Sequence, residues 1–291
     1  RFSPFKGFLP LLEGMQEKTL VIPSTFTADE KNAYVKAYKV GEAARAATCF
    51  GYSRVLVYFD KDPRFNSRKL AAWIEKTLNY CNTPPYLRKN LFKKDPALRY
   101  AGIIPPIAGP HHQPEKFGLP YRYGAVHDVS PKGLKVYAGL DDYVLVPDYP
   151  AGVKKNDVVI VNTVDSQLVD KESLEGRGVY FGFGVENNPG ELESVLRELK
   201  KDSFKVLAAT RKGESLDGER LRGVASQEKL AVVFGSAYRG VLDLLKDSRE
   251  LLDYAWNSVP SQNSLTVRTE EAIYYSLAVL NYCSSKKPRQ G

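Results

Sequence analysis

Two stretches that alternate apolar, β-branched runs with helical patterns flank a middle stretch of a different texture, and this interruption limits the possible folds more than any other feature. Near the start, Thr19–Ile22 and Arg54–Phe59 are short runs of strand formers. Between them Asn32–Phe50 carries alanines at 43, 44, 46 and 47, which favour helix. Ser67–Tyr80 follows as an amphipathic helix with Leu70, Trp73, Ile74 and Leu78 on one face. From Pro96 to about Asn187 the chain turns rich in Gly, Pro, Tyr and Val. Strand-like runs there at Tyr121–Val129, Leu134–Ala138, Asp142–Val146, Asp157–Asn162 and Gly178–Val185 predict a small antiparallel barrel. Helical spacing returns at Leu192, Val195, Leu196 and Leu199. Phe204–Thr210 and Lys229–Gly235 then read as buried strands, and Val241, Leu244, Leu245, Leu251 and Leu252 as a further helical region. The expected architecture is an α/β domain made of residues 1–95 and 188–291, interrupted by a β domain over 96–187. The Lys286–Gly291 tail reads as disordered.

Composition narrows the setting. A chain of 291 residues can bury a substantial core, and no apolar run approaches the roughly 20 residues that span a bilayer. With no secretory pattern at the start, the reading is an intracellular, cytoplasmic protein without a membrane partner. Cys49, Cys81 and Cys283 lie far apart and form no C-x-x-C pair, so reduced thiols are expected rather than a zinc or iron–sulfur site. The 42 basic against 34 acidic residues give a charge of +8, which suits a polyanionic partner because binding releases counterions.

Three polar or glycine-containing segments follow apolar runs in the last third: Thr210–Gly213, Gly235–Gly240 and Asn257–Thr269. If their strands are parallel neighbours, all three emerge at one carboxyl edge, where open α/β sheets bind ligands. Gly235 and Gly240 would let backbone approach such a ligand closely. Past the third segment, Thr266 or Thr269 can cap a helix whose Ile273, Leu277 and Leu280 form an apolar stripe. Ala272, Ser276, Val279 and Cys283 form a second stripe of mostly small residues. Competing motifs fail. The glycine that a dinucleotide fingerprint needs after Gly182 and Gly184 is Asn187, Gly240 is not followed by Lys-Ser or Lys-Thr, and there is no G-x-S-x-G elbow. His111 and His112 are adjacent, a spacing that rarely converges on one metal ion, so a structural or RNA-facing role is expected and no metal. Arg88, Lys89, Lys93, Lys94 and Arg99, interleaved with Tyr86, Phe92 and Tyr100, can pair with phosphates while rings receive unstacked bases.

Several segments together resemble one family, the archaeal and eukaryotic branch of the SPOUT superfamily of RNA methyltransferases. The strongest is PSQNSLTVRTEEAI, Pro260 to Ile273. Others are Ile22-Pro-Ser24, Ala44-Arg-Ala-Ala47, Pro110-His-His112, Tyr121-Arg-Tyr-Gly124 and Val232-Val-Phe-Gly235. PIAGPHH stands where the family has a PLD-type lead, and ATRKG where TSERG is common. The resemblance implies an α/β domain with a C-terminal trefoil knot, an inserted OB-like barrel that binds RNA, and a homodimer that binds S-adenosylmethionine.

Carried onto this chain, the resemblance assigns the cofactor to Thr210, Arg211 and Gly213; to Phe234, Gly235, Ser236 and Gly240; and to Asn257, Val259, Pro260, Gln262, Leu265, Thr266 and Val267. Arg268 and Arg45 become the candidate catalytic residues. Arg122 joins the basic cluster and the histidine pair on the RNA side. The expected dimer face is the small-residue face of the 41–50 helix with the second stripe of the 267–283 helix. The activity implied is methylation of a ring nitrogen of a base in rRNA, uridine N3 included. The alternatives are a tRNA or ribose 2′-O methyltransferase and, from another class, a non-catalytic RNA-binding assembly protein.

Overall fold

The computed structural model describes residues 16–284; the Lys286–Gly291 tail lies outside the described residues. In chain order the first elements are β1 (Glu17–Pro23), α1 (Ala33–Cys49), β2 (Arg54–Tyr58), α2 (Ser67–Asn82) and α3 (Pro85–Leu91). The middle holds β3 (Tyr121–Ser130), β4 (Gly133–Tyr137), β5 (Val144–Val146), β6 (Val158–Asn162), β7 (Gln167–Val169) and α4 (Lys171–Gly176). Then come β8 (Gly184–Asn188), α5 (Leu192–Lys201), β9 (Lys205–Glu214), α6 (Gly218–Ala225), β10 (Lys229–Val233), α7 (Val241–Leu245), β11 (Tyr254–Trp256) and α8 (Thr269–Ser284). The chain divides into two compact units, one holding Tyr80–Leu98 and Ile107–Gly182, the other Gln16–Asn79, Arg99–Pro106 and the chain from Phe183 onward.

The second of these units is α/β. Its six strands lie in the order β11-β9-β10-β1-β2-β8 and every pair is parallel. Parallel strands are covered on both faces, so continuous apolar runs such as Leu20–Ile22 and Val55–Val57 suit them. Leu192, Val195, Leu196 and Leu199 of α5 pack on Val206, Ala231 and Val233 of the sheet. Burying Leu196 completely contributes about 1.5–3 kcal/mol.

The small-residue face of α1 is spent inside the chain. Ala43, Ala44, Ala46 and Ala47 are fully buried, and a Cβ on Gly41 would lie 2.4 Å from Ile104 Cγ2. That face is therefore unavailable to a partner, contrary to the sequence expectation. On α8, Ile273, Ser276, Leu277 and Leu280 are buried, but Tyr275 and Tyr282 stay exposed, at 45% and 81%.

The other unit carries an antiparallel sheet of five strands in the order β5-β4-β3-β6-β7. A register shift between Val126 and Asp128 marks a bulge that bends β3. Val126, Leu134, Val136, Ala138, Val144, Val146 and Val161 form its core.

One strand assignment and one helical assignment need correction. Gly178–Val185 is not the fifth strand of this sheet. Gly178 and Gly182 take positive φ values of 73° and 85°, Phe181 turns into a cluster with Ile160 and Leu174, and the strand that follows, β8, pairs in parallel with β2. The fifth strand is β7, whose Gln167–Val169 is too short to show a period. The helical region begun at Val241 breaks after Leu245, where Lys246 takes φ 45°, resumes as one 3-10 turn at Arg249–Leu251, and gives way to the short strand β11.

His111 and His112 are buried, with 0% and 6% of their surface exposed, and so do not present an RNA-facing surface. His112 Nε2 donates to the Asn82 carbonyl at 3.1 Å. Burial holds both imidazoles neutral, pulling His112 from 6.5 down to about 4 and His111 well below its ordinary value, the latter with help from His112. Between those two pH values the unfolded chain binds the proton that folded His112 refuses, so stability is complete above about pH 6.5 and falls as pH drops towards 4. The depression corresponds to ~3 kcal/mol at about 1.36 kcal/mol per unit. Urea unfolding between pH 7 and 4 measures this: His112→Gln should flatten the slope, and an unchanged slope would assign the loss to other groups.

Candidate functional site

Because β1, β9, β10 and β11 run in parallel, the segments after them reach the same edge of the sheet. A cavity of about 510 Å³ opens there, within the range of small-molecule sites. One wall is Ala209–Lys212; the Thr210–Gly213 segment, which the sequence suggested as a loop, forms the outer part of β9. The second is the turn after β10, with Phe234, Gly235, Ser236 and Gly240. The third is the segment after β11, with Asn257, Val259, Gln262, Thr266, Val267 and Arg268.

Side-chain to backbone hydrogen bonds lock these walls together. Asn257 Nδ2 donates to the Arg211 carbonyl at 3.2 Å, while its Oδ1 accepts from Val259 N at 3.0 Å in an Asx turn. Arg211 Nη1 donates to the Leu265 carbonyl at 3.0 Å. Thr269, expected as a cap, instead donates to the Gly235 carbonyl at 3.4 Å, and the Glu271 carboxylate accepts from the Arg268 N–H at 2.9 Å at the start of α8.

The turn after β10 is tight for a reason that only glycine satisfies. A Cβ on Gly235 would lie 2.6 Å from the Arg239 carbonyl, which accepts from Ser236 N at 2.9 Å. Ser236 Oγ in turn accepts from Arg239 N at 3.1 Å. The Arg239 guanidinium pairs with Asp60 and donates to the Lys61 carbonyl at 2.7 Å, and Thr25 donates to the same Asp60 carboxylate. Burial raises Asp60 above the usual carboxylate range; the Thr25 hydroxyl and the Arg239 charge oppose it. The Tyr58 hydroxyl adds a bond to the Phe234 carbonyl at 3.1 Å. Buried polar groups at and just past the ends of two neighbouring strands, β1 and β2, therefore fix the turn from beneath.

Not every expected residue reaches the cavity. Gly213 lies off its wall: a Cβ there would lie 2.6 Å from Trp256 N, so this glycine serves the close approach of β9 to β11. Pro260 and Leu265 are also off the wall, and Leu265 is 91% exposed. Arg45 lies elsewhere in the same unit, its guanidinium bonded to the Pro106 carbonyl. Of the basic residues assigned to RNA, Lys89, Lys93, Lys94 and Arg99 are exposed. Arg88 instead donates to the Thr83 and Cys81 carbonyls, and Arg122 to the Ala138 carbonyl and Glu115.

The cavity also holds charged groups that the sequence did not single out: Asp29, Glu30, Lys212 and Asp243. The first two follow β1 without any motif to flag them. Both oxygens of Asp29 accept from Lys39 Nζ, at 2.9 and 2.8 Å, and this buried ammonium also pairs with Glu270 at 3.2 Å. Asp243 is held below the usual carboxylate range, chiefly by its hydrogen bond from Lys212. Among the described residues the Glu30 carboxylate and the Arg268 guanidinium have no hydrogen-bond or ion-pair partner, and both residues line this cavity. It thus combines main-chain, hydroxyl and amide groups with an unpaired base and an unpaired cation.

Residues 17–280 match the model of a family described as "Putative RNA methyltransferase". An uncharacterized protein of Haloarcula marismortui is 28% identical over 288 residues, which cover 90% of this chain and 98% of that protein. The 28S rRNA (uridine-N(3))-methyltransferase of Drosophila melanogaster is 26% identical over 303 residues, 90% of this chain and 61% of that one. Among solved structures, an RNA 2′-O ribose methyltransferase aligns with 96% of this chain and 61% of its own at 10% identity and a TM-score of 0.41.

Proposed function

This chain belongs to the RNA methyltransferase family, and we propose that it methylates N3 of a uridine in rRNA, using S-adenosylmethionine held in the cavity at the sheet edge. The observation that carries the reading is the convergence of three separated segments on one cavity whose wall includes an unpaired carboxylate, Glu30, and an unpaired guanidinium, Arg268. Uridine N3 is favoured over other atoms by the activity for which the Drosophila melanogaster relative is named and by this pair.

The residues present fit the methyl donor. Apolar Ala209, Val241, Val259 and Val267 can flank a purine, hydroxyl and amide groups of Thr210, Ser236, Asn257 and Gln262 can meet its polar edges, and the nearby carboxylates suit a cation. When bound, S-adenosylmethionine supplies an electrophilic methyl group on a sulfonium centre. The protein's own work is then on the base. Glu30 would take and hold the N3–H proton, which leaves N3 with the electron pair that makes it nucleophilic towards the methyl group the cofactor would supply. Arg268 offsets the negative charge that develops on the uracil ring. Fixed walls position the two reactants.

The same reading includes an OB-like role for the five-stranded unit in holding RNA, with Lys89, Lys93 and Lys94 exposed. It also includes a knotted C-terminal path, supported by the order β11-β9-β10, which departs from chain order. A homodimer completes it, supported by the exposed Tyr275 and Tyr282 on α8, with Arg45 reaching RNA bound to the partner. Light scattering at micromolar concentration should give twice the chain mass; the single-chain mass would remove the dimer from the account.

A further inference from the structure

A patch that no sequence motif announced lies on the back of the turn that walls the cavity. Tyr238, at the tip of Gly235–Gly240, is 46% exposed. The Phe65 ring stacks with it at 5.7 Å between centroids and 25° between planes, and the Arg64 guanidinium lies over it at 4.2 Å. Arg64 does not drift there. Its Nε and Nη2 donate to the two oxygens of Asp62 at 2.9 and 2.6 Å, and the Asp62 side chain is only 4% exposed. The fork leaves Nη1 of Arg64 outside these bonds.

In the same segment and the helix start after it are Lys61, whose carbonyl accepts from Arg239, Arg68, whose guanidinium lies over Phe59, and Lys69, all exposed and none with an acidic partner among the described residues. Of the acids nearby, Asp62 is used by Arg64 and Asp60 by Arg239, while Glu191, near Asp60, is exposed. An aromatic and guanidinium platform with three uncompensated cations is complementary to one partner chemistry, a polyanion carrying flat rings. Unpaired nucleotides have that chemistry, whereas a duplex hides its base faces. The platform and the cavity share the turn 235–240, since Ser236, Ala237 and Gly240 line one side of it and Tyr238 projects from it.

We propose that Arg64, Phe65 and Tyr238, with Lys61, Arg68 and Lys69, form a docking surface for single-stranded RNA beside the cavity, in which one base stacks on Tyr238 and the cations neutralise adjacent phosphates. It uses none of the basic residues of 88–99, and it rests on the reading of the chain as an RNA methyltransferase.

The test is fluorescence anisotropy of the full chain with a labelled, uridine-containing single-stranded RNA and with the same sequence as a duplex. Tyr238→Ala should weaken single-strand binding about ten-fold, and Tyr238→Phe, which keeps the ring, should bind like wild type. The combined Lys61→Ala, Arg68→Ala, Lys69→Ala variant should flatten the salt dependence by a log–log slope of about 2, at roughly 0.7 per phosphate contact. Single-strand binding within two-fold of wild type in both variants would overturn the surface, as would equal losses on the duplex. Should Tyr238→Ala fold poorly, the charge variant and Tyr238→Phe decide the matter. Wild type that binds no RNA at any salt would overturn the methyltransferase reading as well, so the two failures are told apart.

Discussion

Replacing Glu30 by Gln lowers methyl transfer by about 10²–10⁴-fold, the usual contribution of a positioned general base, while affinity for S-adenosylmethionine stays within a few-fold of wild type. The expectation follows from the inventory of the cavity wall. Three carboxylate-bearing residues line it, and two already have cationic partners: Asp29 accepts from Lys39 at both oxygens and Asp243 from Lys212. Among the described residues no His, Cys or Tyr lines it, which leaves Glu30 to receive the proton. A structural defect would depress the rate at every pH. Loss of a base has a different signature: the variant should recover as pH rises, with a log–log slope near one, because hydroxide then removes the N3 proton from solvent. A rate for Glu30→Gln equal to wild type, or a loss that high pH does not relieve, would remove Glu30 from the mechanism.

Arg268→Ala should cost about 10²–10³-fold in kcat, the scale of removing one donor to a developing anion. Its guanidinium lacks a protein partner among the described residues, so truncation breaks no internal bond, and the segment keeps its anchor through the Arg268 N–H to Glu271. KM for the methyl donor should change little, since a group acting on charge that appears only in the transition state lowers kcat and kcat/KM together. Arg268→Lys should recover part of the rate as a point charge but not all of it, because an ammonium lacks the planar fork. Full activity in Arg268→Ala would show that the charge is met elsewhere.

The sequence was informative where a periodic signal met a single environment. The apolar runs of β1, β2, β9 and β10 read as buried strands because parallel strands want continuous apolar sequence. The α5 stripe was legible because one face is buried and the other wet. Legibility failed at β7 and β11, three residues each, and at 178–183, where left-handed glycines and buried phenylalanines build a turn that reads as a strand.

For the site, the chain resembled its family at the two segments whose polar side chains bond backbone, around Gly235 and Asn257, and the structure brings both to one cavity. Gly213 misled because a glycine needed for strand approach looks, in sequence, like one needed for a ligand. Asp29 and Glu30 were missed for another reason: their role comes from where β1 ends and from Lys39 ten residues on, a relation visible only once α1 is folded.

The most direct test of the central claim is methyl transfer itself. Purified protein is incubated with labelled S-adenosylmethionine and total RNA from cells lacking the gene, and the modified nucleoside is identified by mass spectrometry and mapped to its RNA. The account predicts label in rRNA recovered as 3-methyluridine. Label on a ribose oxygen, label confined to tRNA, or no incorporation despite intact RNA binding would contradict it.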